Sequence, residues 1–190
     1  PWEAFKNATK WRTSKDKDES KWANIFYIMM QKRKQLCFNA SGKIDIIEQI
    51  VNKYSNRRAL VFSESIKFAS TLQERLDDQC VTFHSKMKKK EREDALKLFG
   101  DGRTKKRVIS SVRALNQGLN VPECSLGICA AGSSKALDNV QRTGRTLRLQ
   151  ENKVAIYFNL YVRGTQEVKW VRKRTKNEYN TKWIDNLNDI

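Results

Sequence analysis

Gln141, Arg142, Arg145 and Arg148 are the side chains of this 190-residue chain best suited to chemistry. They sit in the stretch Gln141-Arg142-Thr143-Gly144-Arg145-Thr146-Leu147-Arg148, which continues a segment ready to form a helix. On a helix, Leu137, Val140, Gly144 and Leu147 make one stripe that can pack on a sheet. Gln141, Arg145 and Arg148 fall on another side, with Arg142 beside them. Three guanidiniums crowded there repel one another unless an anion sits between them. Arginine suits that task, because its planar fork grips phosphate oxygens two at a time and keeps its charge. The competing reading is a solvated basic helix face.

Upstream residues favour the phosphate reading. The run Arg107-Val108-Ile109 leads into Ser110-Ser111, expected to terminate a strand. Hydroxyls and backbone N–H groups at such a place can hold phosphate oxygens. The next segment carries Gly118, which permits close backbone approach, then Asn120 and Pro122. Earlier, Ala59-Leu60-Val61-Phe62-Ser63-Glu64 reads as a buried strand opening into a helix. In this order the three segments resemble motifs IV, V and VI of superfamily 2 helicases and translocases, across residues 40–175. Motif VI appears as Gln-x-x-Gly-Arg-x-x-Arg and motif V as Gly-x-Asn-x-Pro.

The resemblance implies a role for each position. Arg145 and Arg148 stand where the family places its arginine finger, the catalytic group that stabilises charge on the γ-phosphate. Gln141, Gly118 and Asn120 are implied to bind nucleotide. Ser63, His84, Ser110, Ser111 and Arg142 are implied to contact the nucleic-acid backbone, with a salt bridge as the other reading for Arg142. Asn120 replaces the Asp of many members, as it does in Swi/Snf-type translocases, and brings hydrogen bonds without negative charge. His84-Ser85 resembles a His-Gly pair, with Ser in place of Gly. His84 is the only histidine, which leaves little room for triad or His-metal catalysis, so it is expected to be structural or backbone-contacting. Gly164-Thr165-Gln166-Glu167 and the lead-in Ser41-Gly42-Lys43 resemble XPB-like and phage repair helicases.

Two motor parts are lacking in the sequence. A Walker A loop, Gly-x-x-x-x-Gly-Lys-Ser/Thr, is absent; Ser41-Gly42-Lys43 lacks the first Gly and is followed by Ile44. No Asp-Glu-x-His/Asp box supplies a Mg²⁺ carboxylate. The resemblance therefore implies half of an ATP site. ATP and Mg²⁺ would be shared with a first RecA-like domain, in cis or on another chain, with no metal site in this one. The chain alone is expected not to hydrolyse ATP. DNA is the expected partner, gripped by its backbone, with RNA left open. A second reading is a standalone nucleic-acid-binding or regulatory module. A third, a nuclease, rests on Glu167-Val168-Lys169 as half of a Glu-x-Lys metal motif, with no strand-placed Asp before it.

The elements that must position these residues follow from patterning. Candidate strands are 59–63, 80–84, 107–112, 125–130 and 153–160; candidate helices are 65–77, 88–99, 135–148 and 165–175. This strand–helix alternation predicts an α/β fold, a RecA-like open parallel sheet with helices on both faces. Helical spacing over 20–36 and 43–54 places a helical extension before it. Residues 1–20 read as a poorly ordered polar arm or the tail of a preceding element. The expected division is 1–40 arm and lead-in, 41–178 RecA-like domain and 179–190 tail. Pro1 in place of Met is expected of a fragment or a processed product.

The net charge of +17 calls for a polyanionic partner. The basic groups cluster at Lys86–Arg92, Arg103–Arg107 and Lys169–Lys176, and two of these three are expected to be solubilising faces. Trp170, Tyr161 and Tyr179 are candidates for base stacking. Four cysteines with no ligand spacing read as core thiols in a reducing compartment. The expected location is the cytoplasm, that of a host for a phage protein, with the nucleus left open; no membrane is involved.

Overall fold

The short apolar runs become one parallel sheet. In the computed structural model, residues 2–112, 124–132, 154–176 and 181–189 are described. Strands β1 (Ala59–Ser63), β2 (Cys80–His84), β3 (Val108–Val112), β4 (Leu126–Cys129) and β5 (Ile156–Asn159) pair in the order β2-β3-β1-β4-β5, all parallel. Each expected strand is present, within a few residues of its expected bounds.

Alternation along the strands feeds two cores. Ala59 and Val61 of β1, with Cys80, Val108, Leu126 and Ile128, face helices α3 (Gly42–Lys53) and α4 (Ile66–Leu76). Ile44, Ile47, Ile50 and Val51 of α3 and Phe68, Leu72 and Leu76 of α4 complete that side. Leu60, Val81, Phe83 and Ile109 face the other way, onto Ala95 and Phe99 of α5 (Lys89–Gly100). Helices thus cover both faces, as an all-parallel sheet requires. Helix α6 (Gln166–Arg174) follows β5.

Caps set the helix starts. The Ser65 hydroxyl accepts from the Phe68 N–H, and the Thr165 hydroxyl accepts from the Glu167 N–H. Gly164, at φ +69°, turns the chain into α6, a conformation that favours glycine. Glu91 reaches back to accept from the Lys88 N–H at the start of α5.

The first unit, Pro1–Cys37, differs from its polar-arm reading. Trp2–Trp11 forms helix α1, and α2 runs over Lys17–Phe38. The reason for the early start of α2 is Asp16, whose carboxylate accepts from the N–H groups of Asp18 and Glu19. The charged run read as part of a poorly ordered arm or the tail of a preceding element holds a helix cap, with acidic residues in the first turn that follows. Lys32-Arg33-Lys34 does not lie in the last turn of α2, because the helix continues to Phe38. Arg12 ties α1 to α2 within this unit: its Nε donates to Asn24 Oδ1 at 3.0 Å, and its guanidinium stacks 4.0 Å from the Tyr27 ring centroid. Among the described residues no helix is long and apolar enough to cross a membrane.

Cys80, Cys124 and Cys129 are buried and Cys37 is partly exposed. Burial pushes the Cys80 and Cys124 thiols up to about 12. A thiol raised on folding favours the protonated native state. That stabilisation is complete below the ordinary thiol pKa of 9.0 and is lost as pH climbs toward about 12. The urea midpoint should therefore fall across this alkaline window, and Cys80→Ala/Cys124→Ala should flatten the fall. Equal slopes for the two proteins would remove the thiols as its cause.

Candidate functional site

Parallel pairing brings the carboxyl ends of all five strands to one edge, where open α/β sheets bind ligands. Ser63, Val112 and His84 occupy one row across β1, β3 and β2. Ser111 lies one row inward, beside Phe62 and Phe83, and Ser110 one further, beside Val61 and Thr82. The chain leaves β1 toward β2 but leaves β4 toward β5, so the connections diverge between β1 and β4. Such a reversal opens a crevice at the carboxyl ends, here between Ser63 and Ala130.

Ser110 and Ser111 do not terminate β3. The ladders to β1 and β2 both run on to Val112, so the serines sit inside the sheet on opposite faces. Both are buried, and neither hydroxyl has a hydrogen-bond partner among the described residues. Ser63 is buried too, its hydroxyl 3.4 Å from the Ser65 carbonyl. His84 closes a tight turn: its N–H approaches the Met87 sulfur at 3.4 Å and its carbonyl accepts from the Met87 N–H. Its Nδ1 is buried without a hydrogen-bond partner among the described residues. Gly118, Asn120, Gln141, Arg142, Arg145 and Arg148 lie outside the described residues.

The structure adds a polar clasp that the sequence did not reveal. Lys43, near the start of α3, is 3% exposed. Its Nζ donates to both Glu167 oxygens and to the Ala130 carbonyl, each at 2.8 Å. Glu167 Oε2 also accepts from the Val162 N–H at 2.9 Å. Arg174 is 4% exposed. Its Nη1 donates to the Gly132 carbonyl at 2.9 Å and its Nη2 to Asn159 Oδ1 at 3.3 Å. The amine of Ser41-Gly42-Lys43 is thus held by protein groups. The Glu167 carboxylate, which the nuclease reading offered to a metal, is taken up by the Lys43 ammonium. Among the described residues no three His, Cys, Asp or Glu side chains gather in a metal-binding group.

The basic patches separate by location. Arg103–Arg107 lies at the amino end of β3 and is largely occupied by internal contacts. Lys106 donates to the Asp77 and Cys80 carbonyls, Lys105 pairs with Asp78, and Arg107 donates to the Val51 carbonyl and Gln79. In the last patch Arg174 is buried, and Arg172 lies 5.8 Å from the Trp183 ring centroid. Trp170 packs on Phe38 and Tyr161 on Trp183, so both aromatics have internal partners; Tyr179 lies outside the described residues. Lys86, Lys88, Lys89 and Lys90 remain exposed just beyond His84, on the carboxyl edge.

Comparison with known proteins agrees with this geometry. Residues 42–150 match the family described as the helicase conserved C-terminal domain. The chain is 30% identical over 139 residues to the DNA 3'-5' translocase XPB2 of Sulfurisphaera tokodaii, covering 73% of this chain and 30% of that protein. It is 24% identical over 118 residues to a 51.5 kDa protein of a Lactococcus phage, covering 60% of this chain and 26% of that protein. The fold matches the C-terminal domain of the DEAD-box protein Dbp5 with a TM-score of 0.59 at 18% identity, covering 77% of this chain and 83% of that one.

Removing one partner of a buried ion pair strands the other, at a cost of about 3–5 kcal/mol, whereas replacing both by apolar groups is often neutral. Lys43→Met alone should therefore lower unfolding free energy by about 3–5 kcal/mol, and Lys43→Met/Glu167→Leu should recover most of that loss. Denaturant titration checks both; a double variant no better than the single one would show that the pair is not the relevant contact.

Proposed function

Because this chain belongs to the helicase conserved C-terminal domain family of superfamily 2, we propose that it is the second motor domain of an ATP-dependent DNA helicase or translocase. The match of residues 42–150 carries the proposal, since it runs through all three motif segments. The sheet supports it, because β1 and β3, which lead into motifs IV and V, are direct neighbours with one carboxyl edge. DNA is favoured over RNA because the relative at 30% identity is named a DNA translocase.

In this reading Arg145 and Arg148 reach across the cleft to the γ-phosphate, and Gln141, Gly118 and Asn120 line the nucleotide. Preorganised guanidiniums stabilise the charge that develops on the transferred phosphoryl group, a contribution worth roughly a thousandfold or more in turnover. ATP is substrate, and the Mg²⁺ carboxylate and phosphate loop come from the first RecA-like domain. Ser63, His84, Ser110, Ser111 and Arg142 are assigned to the nucleic-acid side. The buried positions of Ser110 and Ser111 limit both to contacts through neighbouring backbone. The exposed Lys86–Lys90 run adds non-specific phosphate attraction on the same edge.

ATPase assays with and without DNA test the proposal. The isolated chain should be inactive and a protein that also carries the first RecA-like domain active. Arg145→Ala and Arg148→Ala should each lower kcat in the longer protein by roughly a thousandfold without unfolding it. Hydrolysis by the isolated chain would overturn the half-site reading. A longer protein that binds DNA but hydrolyses no ATP would favour the standalone binding module.

DNA binding gives a separate check on the lysine edge. Each phosphate contact contributes about 0.9 to the slope of log affinity against log salt. Lys89→Ala/Lys90→Ala should make this slope shallower, while Lys105→Ala, on the opposite edge, should leave it unchanged. Equal slopes for all three proteins would place the DNA elsewhere.

A further inference from the structure

Three buried charged side chains, Lys43, Glu167 and Arg174, converge where the chain leaves β4 for residues 133–153, the stretch that carries Gln141, Arg145 and Arg148. Ahead of that stretch, Lys43 holds the Ala130 carbonyl at 2.8 Å and Arg174 holds the Gly132 carbonyl at 2.9 Å. Beyond it, the same Arg174 guanidinium reaches Asn159 of β5, and Glu167 accepts from the Val162 N–H. One guanidinium therefore ties Gly132, just ahead of the arginine-bearing stretch, to the carboxyl end of the neighbouring strand β5.

Stability alone is a weak reason for this arrangement. Buried ion pairs are often replaced by apolar side chains without loss, and the two apolar cores are built independently of it. What the clasp supplies is fixed position. Its members come from α3 and α6, far apart in sequence, and two of its acceptors are backbone carbonyls that no side-chain substitution at 130 or 132 can remove. Charge-assisted bonds of this length hold those carbonyls more tightly than neutral ones would.

We infer that Lys43, Glu167 and Arg174 are positioning residues for ATP hydrolysis, which set where the arginine-bearing stretch leaves the sheet. The inference rests on the reading of Arg145 and Arg148 as the finger. A catalytic group displaced by 1 Å can cost about a hundredfold in rate, so a loosened anchor should act on turnover more than on substrate binding.

The test uses the full protein, with both RecA-like domains, and measures kcat and KM for ATP at saturating DNA beside thermal melting. Lys43→Met and Arg174→Lys should lower kcat by roughly tenfold or more with KM for ATP unchanged, at temperatures where both remain folded. Lys43→Arg, which keeps charge and donors, should recover much of the loss. Leu72→Ala, in the core between α4 and the sheet, serves as the comparison for destabilisation alone and should keep its kcat. If Lys43→Met fails to fold, Arg174→Lys decides: it keeps the charge and loses the fork that spans two acceptors. Unchanged kcat in the folded clasp variants would overturn the inference, as would an equal fall in Leu72→Ala at matched melting loss. Arg145→Ala separates the two levels. Full activity there removes the finger reading itself, whereas an inactive Arg145→Ala beside active clasp variants removes only the positioning role.

Discussion

Parallel pairing of β1 between β3 and β4 is the constraint from which the rest of the domain follows. Parallel neighbours cannot be joined by a tight turn, so every connection must cross back over a face of the sheet. Helices α4 and α5, which make the crossings from β1 to β2 and from β2 to β3, cover opposite faces, which is why two separate cores exist. The same pairing gathers all strand exits at one edge. Ser63, His84 and the chain leading into Gly118 and Asn120 are neighbours there because of strand direction, before any side chain contributes.

The polar contacts of the domain divide by solvent access. Arg75 with Asp45 and Glu48 bridges α3 and α4 in the open, with its side chain 52% exposed, and such pairs contribute little in water. Arg103 with Asp101, the arginine almost wholly in solvent, belongs to the same group. Lys43 with Glu167 is of another kind. Both members are desolvated, and their mutual attraction is joined by a carbonyl and an N–H that complete their hydrogen bonding. Ser110 and Ser111 are a contrast inside the same sheet, since their hydroxyls are small enough to be buried without a charged partner.

Much of this architecture was legible in the sequence because strand and helix signals are local. Ile44, Ile47, Ile50 and Val51 repeat at helical spacing, and Ala59–Phe62 is an unbroken apolar run. The clasp was not legible, because Lys43 and Glu167 are 124 residues apart and no local pattern pairs them. Only Gly164-Thr165, a turn with an N-cap just before Glu167, gave a local sign that α6 starts at a defined place. Ser110-Ser111 misled in the other direction: two hydroxyls after an apolar run look like a strand end, but pairing on both sides carries the strand past them. Asp16 misled because a cap inside a mixed-charge run looks like solvated chain. The basic runs could not be sorted without knowing which carbonyls lay nearby. Arg145 and Arg148 were read from motif spacing and the resemblance it supports, and their assignment as a finger stays a proposal.

The strand order also governs how the domain can assemble as it is made. β1 lies at the centre, yet its partners β3 and β4 come much later in the chain. At ribosomal speeds of about 5–20 residues per second, roughly 65 residues of further synthesis leave this apolar strand without its second neighbour for several seconds. The strand most sheltered in the finished domain is thus among the most vulnerable in the nascent one. The helices on either side of it in sequence, α3 and α4, present Ile47, Val51, Phe68 and Leu72 to the face of Val61. They can cover that face before any sheet exists, making the flanking helices the nascent chain's own guard against aggregation.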